Sequence, residues 1–139
     1  MKRKHFLLIS ALVAWAFSLA LILSPGLFVS GVPAQNVLMS QTTGAYLFGI
    51  GIINLFASRS PWSSAVRAIM LGNITVHLLG IGANVFAYLN GYDNLMLLLQ
   101  AMIIHIIFLI GFCYYTFKKS THDMSTQKEK IASNLPDAL

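Results

Sequence analysis

From Phe6 to Phe28 the chain carries no charged residue, and a run of that length is enough to cross a bilayer, which takes about 20 largely apolar residues in helical form. Three further segments read the same way: Gln41–Ala57, Ser64–Leu89 and Leu95–Phe117. In a chain of 139 residues they leave room only for short connections and a tail. The expected fold class is therefore all-α, a four-helix transmembrane bundle running up-down-up-down over residues 1–117. The second segment is the shortest, so it must be extended by flanking Ser and Thr, thin the bilayer locally or stop short of one surface. Residues 118–139 are polar, mixed in charge and too poor in apolar side chains to build a core, which reads as a flexible cytoplasmic tail.

Composition agrees with a membrane class: 57% of residues are hydrophobic, 9% are charged, and the mean hydropathy is +0.73. The net charge of +5 does not point to nucleic acid. Nucleic-acid binding needs a basic face with aromatic or polar partners, and here Lys and Arg sit in short clusters between apolar runs.

Those clusters set the orientation. Basic residues in short loops and tails stay cytoplasmic, and all nine fall on one side of the four segments: Lys2, Arg3 and Lys4; Arg59 and Arg67; Lys118, Lys119, Lys128 and Lys130. The opposite connections, about 29–40 and 90–94, contain no basic residue. The reading is N-in, C-in, with the tail basic residues near anionic lipid. A cleaved signal peptide ending at Val32-Pro33-Ala34 is the competing reading, but the apolar run exceeds the roughly 7–15 residues of a signal core. The Asn73-Ile74-Thr75 sequon falls inside a span and carries no glycosylation signal. Pro25-Gly26 and Asn90-Gly91 mark turns, and Ser63 or Ser64 is a candidate N-cap for the third helix.

Small residues that permit close helix approach occur on each segment, among them Ser10, Ala14, Ser18, Gly44, Gly51, Gly72, Gly80, Ala101 and Gly111. The third helix is more informative. Asn73, His77, Gly80, Asn84 and Tyr88 share one face, and amides and imidazoles facing lipid are costly, so this stripe belongs in an interior or a cavity. His105 and Gln100 lie on the fourth helix, about 140° apart around its axis. His77 and His105 fall at similar depth on neighbouring antiparallel helices, where they could meet.

The candidate ligand-binding residues are thus His77, His105, Asn73, Asn84, Asn54 and Gln100. The plain alternative is structural pairing, in which each imidazole or amide bonds across the helix interface. The sharper readings are haem ligated by both histidines, a quinone site, or a proton relay. A metal site would want a third ligand at that depth, and no Asp, Glu or Cys is available there. No acid lies in any span, which also argues against a transporter, and no nucleophile with a base or pair of carboxylates suggests an enzyme. Cys113 has no partner for an internal disulfide and reads as a small hydrophobe.

The second-helix sequence Gly44-Ala45-Tyr46-Leu47-Phe48-Gly49-Ile50-Gly51, the Arg59 that follows, and a third helix bearing His77 and ending at Leu89-Asn90-Gly91 resemble small four-helix bacterial membrane proteins of the DoxX-like families. The resemblance implies a four-helix bundle in the bacterial inner membrane, and the DoxX family is associated with quinone-linked oxidoreductase complexes as a subunit; it assigns no site residue. The expected role is an accessory or scaffold protein in the lipid bilayer, binding a membrane partner, a second copy or a lipid-like molecule, with no catalytic residue and no cofactor assigned. The alternatives are a redox-linked subunit binding quinone or haem between helices three and four, and a small-solute transporter.

Overall fold

The computed structural model describes residues 1–25, 34–91 and 95–133; for 34–36, 97 and 119–133 it describes the backbone alone. The expected turn at Gly26, the cleavage site at Val32-Pro33 and the loop residues Tyr92, Asp93 and Asn94 lie outside these residues. All described structure is helical, with no strand among the described residues. The helices are α1 (Arg3–Leu23), α2 (Ala34–Arg59), α3 (Ser64–Leu89) and α4 (Leu95–Ser133). Three are long and apolar enough to cross a membrane: α1, α3 and the Leu98–Lys118 part of α4.

Local sequence explains where each helix stops. Ser24 precedes Pro25, and the residue before a proline is driven out of the helical region, so α1 ends at Leu23 with the Ser24 N–H on the Ala20 carbonyl. Ser63 caps α3: its hydroxyl accepts the Val66 N–H at 3.3 Å, the third residue of the helix, while its carbonyl accepts the Arg67 N–H. At the other end Gly91 takes φ of +71°, a left-handed conformation that glycine adopts without strain, and its N–H reaches the Tyr88 carbonyl.

Two helices outrun the apolar segments that announced them. The second segment begins at Gln41, whereas α2 begins at Ala34. Its extra residues are not apolar enough to signal a span, but Ala, Gln, Leu and Met favour helix. The fourth segment ends at Phe117, whereas α4 continues through Ser133, because no Gly or Pro interrupts the sequence between Lys118 and Ser133. A stretch read as a polar tail is thus helical through most of its length.

The chain divides into two compact units, Met1–Ile69 and Met70–Leu139. In the first, α1 and α2 pack antiparallel: Arg3 meets Ser60, Ser10 meets Asn54, Ser18 meets Gly44, and Leu21 meets Ser40. The buried residues are Phe6, Leu7, Ser10, Ala11 and Ser18 on α1, and Ser40, Gly44, Gly51, Asn54 and Ala57 on α2. On α2 they recur at steps of four, seven and three, the pattern of one face packed on a neighbouring helix.

Glycines set how closely these helices approach. A Cβ on Gly44 would stand 2.9 Å from the Ser18 carbonyl oxygen and 2.7 Å from Ile22 Cγ1, and one on Gly51 would run into the Trp15 indole. The Ser18 hydroxyl donates to the Gly44 carbonyl at 2.7 Å, and the Trp15 Nε1–H donates to the Phe48 carbonyl at 3.2 Å. The last carbonyls of α1 also find donors across the seam. Pro25 has no N–H to offer Leu21, four residues back, and the Ser40 hydroxyl donates to that carbonyl at 3.3 Å; Gln41 Nε2 donates to Ile22 at 3.4 Å.

Polar and apolar side chains are buried together, Phe6, Leu7, Ala11, Met70 and Phe112 among the apolar ones. The buried polar residues are Ser10, Ser18, Ser40, Asn54, Asn73 and Thr116, while Leu12, Leu19, Phe56, Leu79, Phe86, Ile103 and Ile110 are among the exposed apolar side chains. Polar groups inside and apolar groups outside suit a hydrocarbon solvent. Two outward-facing hydroxyls bond within their own helix, Thr43 to Met39 and Thr75 to Leu71, so hydrocarbon meets no unpaired donor there.

Candidate functional site

In the second unit the shielded positions of α3 are Met70, Asn73, His77, Gly80, Asn84 and Ala87, alternating three and four apart. On α4, Ala101, His105, Phe108, Phe112 and Tyr115 stand on one face at the same alternation, with the buried Thr116 one turn beyond Phe112. The polar stripe expected on α3 is there with one change: Ala87 takes the inner position and Tyr88 is 40% exposed. A packed pair repeats every 3.5 residues, so a second consecutive step of four leaves the seam.

The seam brings the two histidines into direct contact. His77 Nδ1 and His105 Nδ1 are 3.0 Å apart, a hydrogen bond in which one ring donates and the other accepts. The rings meet edge to face, with centroids 5.3 Å apart and planes at 64°. His77 is also stacked against Phe108, 5.6 Å away at 10°, and against Phe112, 5.7 Å away at 27°. Gly80, one turn along α3, lies against the His105 ring: a Cβ there would be 2.5 Å from Cε1 and 2.7 Å from Nε2. Gly80 thus clears the space in which His105 reaches His77, while Phe108 and Phe112 fix the orientation of the His77 ring.

The other candidates separate. Asn84 turns back on its own helix, Nδ2 donating to the Gly80 carbonyl at 2.7 Å, which occupies one of the amide's donors within α3. Asn73 is buried. Asn54 belongs to the first unit, where its Nδ2 donates to the Ser10 hydroxyl at 3.1 Å. Gln100 is exposed, as the 140° separation from His105 requires. Among the described residues, His77 and His105 converge, with Gly80 behind them.

Sequence reasoning did not single out Phe108 and Phe112. The signal was present, since with His105 they stand three and four residues apart and so share its face. It also missed Ser40 and Gln41 as donors to the end of α1, which the missing N–H of Pro25 could have indicated.

The geometry limits what the pair can hold. Axial ligation of a haem iron places two nitrogens on opposite sides of the metal, each bond about 2.0 Å, hence about 4 Å apart; the 3.0 Å approach of the facing Nδ1 atoms is that of a direct hydrogen bond. Among the described residues no group of three or more His, Cys, Asp or Glu converges as metal ligands. Two imidazoles joined through Nδ1 can share a proton, and they leave their Nε2 atoms pointing elsewhere. No family model matches this chain, and no curated protein and no solved structure matches it.

Proposed function

We propose that the chain is a bacterial inner-membrane protein that crosses the bilayer four times with both termini in the cytoplasm, and that it serves as an accessory or scaffold subunit. The observation that carries the scaffold reading is how span polar groups are spent: Asn54 on Ser10, Ser18 on the Gly44 carbonyl, Asn84 on the Gly80 carbonyl and Nδ1 of His77 on that of His105. Groups paired in this way hold helices together, and the exposed apolar faces are left for lipid, a membrane partner or a lipid-like molecule.

The topology draws on the basic residues. Arg3 at the start of α1 donates from Nη2 to the Ser60 carbonyl at the end of α2, at 2.7 Å, and lies over the Trp62 ring at 5.2 Å. That contact supports placing the α1 start and the α2–α3 connection on one side of the bilayer, where lysine and arginine are retained. The bacterial inner membrane rests on the DoxX-like pattern of α2 and α3.

The test is a native mass spectrum of protein extracted in mild detergent. A retained partner polypeptide or lipid-like mass supports the scaffold reading, and a bare chain with catalytic or transport activity of its own overturns it. Topology is read separately in a Cys113→Ser background: an impermeant maleimide added to intact cells should label Ser30→Cys but not Ser125→Cys.

A further inference from the structure

The hydrogen bond between His77 and His105 uses Nδ1 on both rings, and that choice dictates the state of the other two nitrogens. The ring that donates from Nδ1 is, when neutral, bare at Nε2; the ring that accepts at Nδ1 carries its proton on Nε2. One Nε2 is therefore an acceptor and the other a donor, and neither has a hydrogen-bond partner among the described residues. An imidazole nitrogen left unpaired inside a membrane span is costly.

We propose that His77 and His105 form a single proton-exchange unit whose two Nε2 atoms engage hydroxyl groups from outside the chain, supplied by water or by the head of a membrane-dissolved alcohol. A hydroxyl fits because it can donate to the bare Nε2 and accept from the protonated one. The exchange balances without electrons. A proton adds to the bare Nε2, forming one N–H bond; the proton on that ring's Nδ1 moves to the facing Nδ1; and the second ring releases its Nε2 proton. The pair ends neutral with its tautomers exchanged, and one proton has passed from one Nε2 to the other.

The surroundings suit a neutral pair that carries one proton at a time. The rings and backbone packed on the histidines from α3 and α4 belong to Gly80, Phe108 and Phe112, none of which titrates. The chain's four acids are Asp93, Asp123, Glu129 and Asp137, so no carboxylate on α1, α2 or α3 neutralises an imidazolium. Two positive rings at 3.0 Å would repel strongly in a low-dielectric interior, which restricts the pair to a single added proton.

The proposal goes beyond the scaffold reading and does not depend on it. The experiment is nitrogen-15 NMR on histidine-labelled full-length protein in phosphatidylcholine and phosphatidylglycerol nanodiscs, with His77→Gln and His105→Gln used to assign the rings. The expected spectrum shows a scalar coupling between the two Nδ1 nuclei, opposite neutral tautomers, and uptake of one proton by the pair across the titration. Transfer from water protons to both Nε2 sites identifies water as the source, and a shift of both on adding decanol identifies the amphiphile. Identical tautomers, two independent titrations, or Nε2 sites that respond to neither probe would overturn the proposal.

Discussion

Gly80 lies so close to the imidazole of His105 that a methyl group in its place would stand within 3 Å of three ring atoms. The closeness places His105 Nδ1 on that of His77, so the seam between α3 and α4 depends on an absent side chain. Gly80→Ala should displace the ring, break the Nδ1 bond and destabilise the protein by about 1–3 kcal/mol. Gly72 and Gly82 on the same helix have nothing within 4 Å of their added Cβ, and Gly82→Ala should be neutral or stabilising by up to about 1 kcal/mol. Reversible unfolding in mixed micelles measures both; equal losses would show that the contact does not matter.

The histidine pair should be energetically coupled. In a double-mutant cycle with His77→Phe and His105→Phe, each single change strands one imidazole against phenylalanine, and the interaction energy should fall at about 0.6–1.7 kcal/mol, the range of hydrogen bonds between membrane helices. Strict additivity would mean that the 3.0 Å contact contributes nothing to stability.

Asn54 and Ser10 offer the same cycle in the first unit. Asn54→Leu removes the donor of a fully shielded amide-to-hydroxyl bond, and we expect a cost of about 1 kcal/mol. Adding Ser10→Ala to that variant should cost little more, because the hydroxyl has already lost its partner.

Backbone contacts yield less readily than side chains. Gly44 faces the Ser18 carbonyl, which cannot rotate away, and Gly49 faces open space. Gly44→Ala should therefore lower the melting temperature of the detergent-solubilised protein, with Gly49→Ala leaving it unchanged or raised. The reverse order would place the α1–α2 seam on another face.

The end of α1 tests the role of Ser40. In the native sequence Ser40→Ala strips the hydroxyl from the Leu21 carbonyl that Pro25 cannot serve, at about 1 kcal/mol. In a Pro25→Ala background the new backbone N–H can reach Leu21, and the same Ser40→Ala change should cost distinctly less. An identical cost in both backgrounds would show that the proline creates no vacancy for Ser40 to fill.

Much of this protein is legible in its sequence, for a physical reason. Lipid solvates no backbone polar group, so a long uncharged run such as the one that forms most of α1 has little choice but helix, and Pro25, Ser63 and Gly91 write the ends of helices locally, through a missing N–H, a side-chain cap and a tolerated positive φ. The spacing of His77 and His105 from their helix ends placed both near mid-span before any contact was known. Periodicity counted in fours could not find the seam to the residue: only mutual packing, which repeats every 3.5 residues, puts Ala87 rather than Tyr88 inward. The extension of α2 to Ala34 and of α4 to Ser133 escaped a hydropathy reading because helix propensity, not apolarity, sustains those turns. The tertiary structure alone decided that Asn54 belongs to Ser10 and that the histidines meet through Nδ1. Both depend on which groups a neighbouring helix brings within about 3 Å, a distance no spacing along one chain segment records.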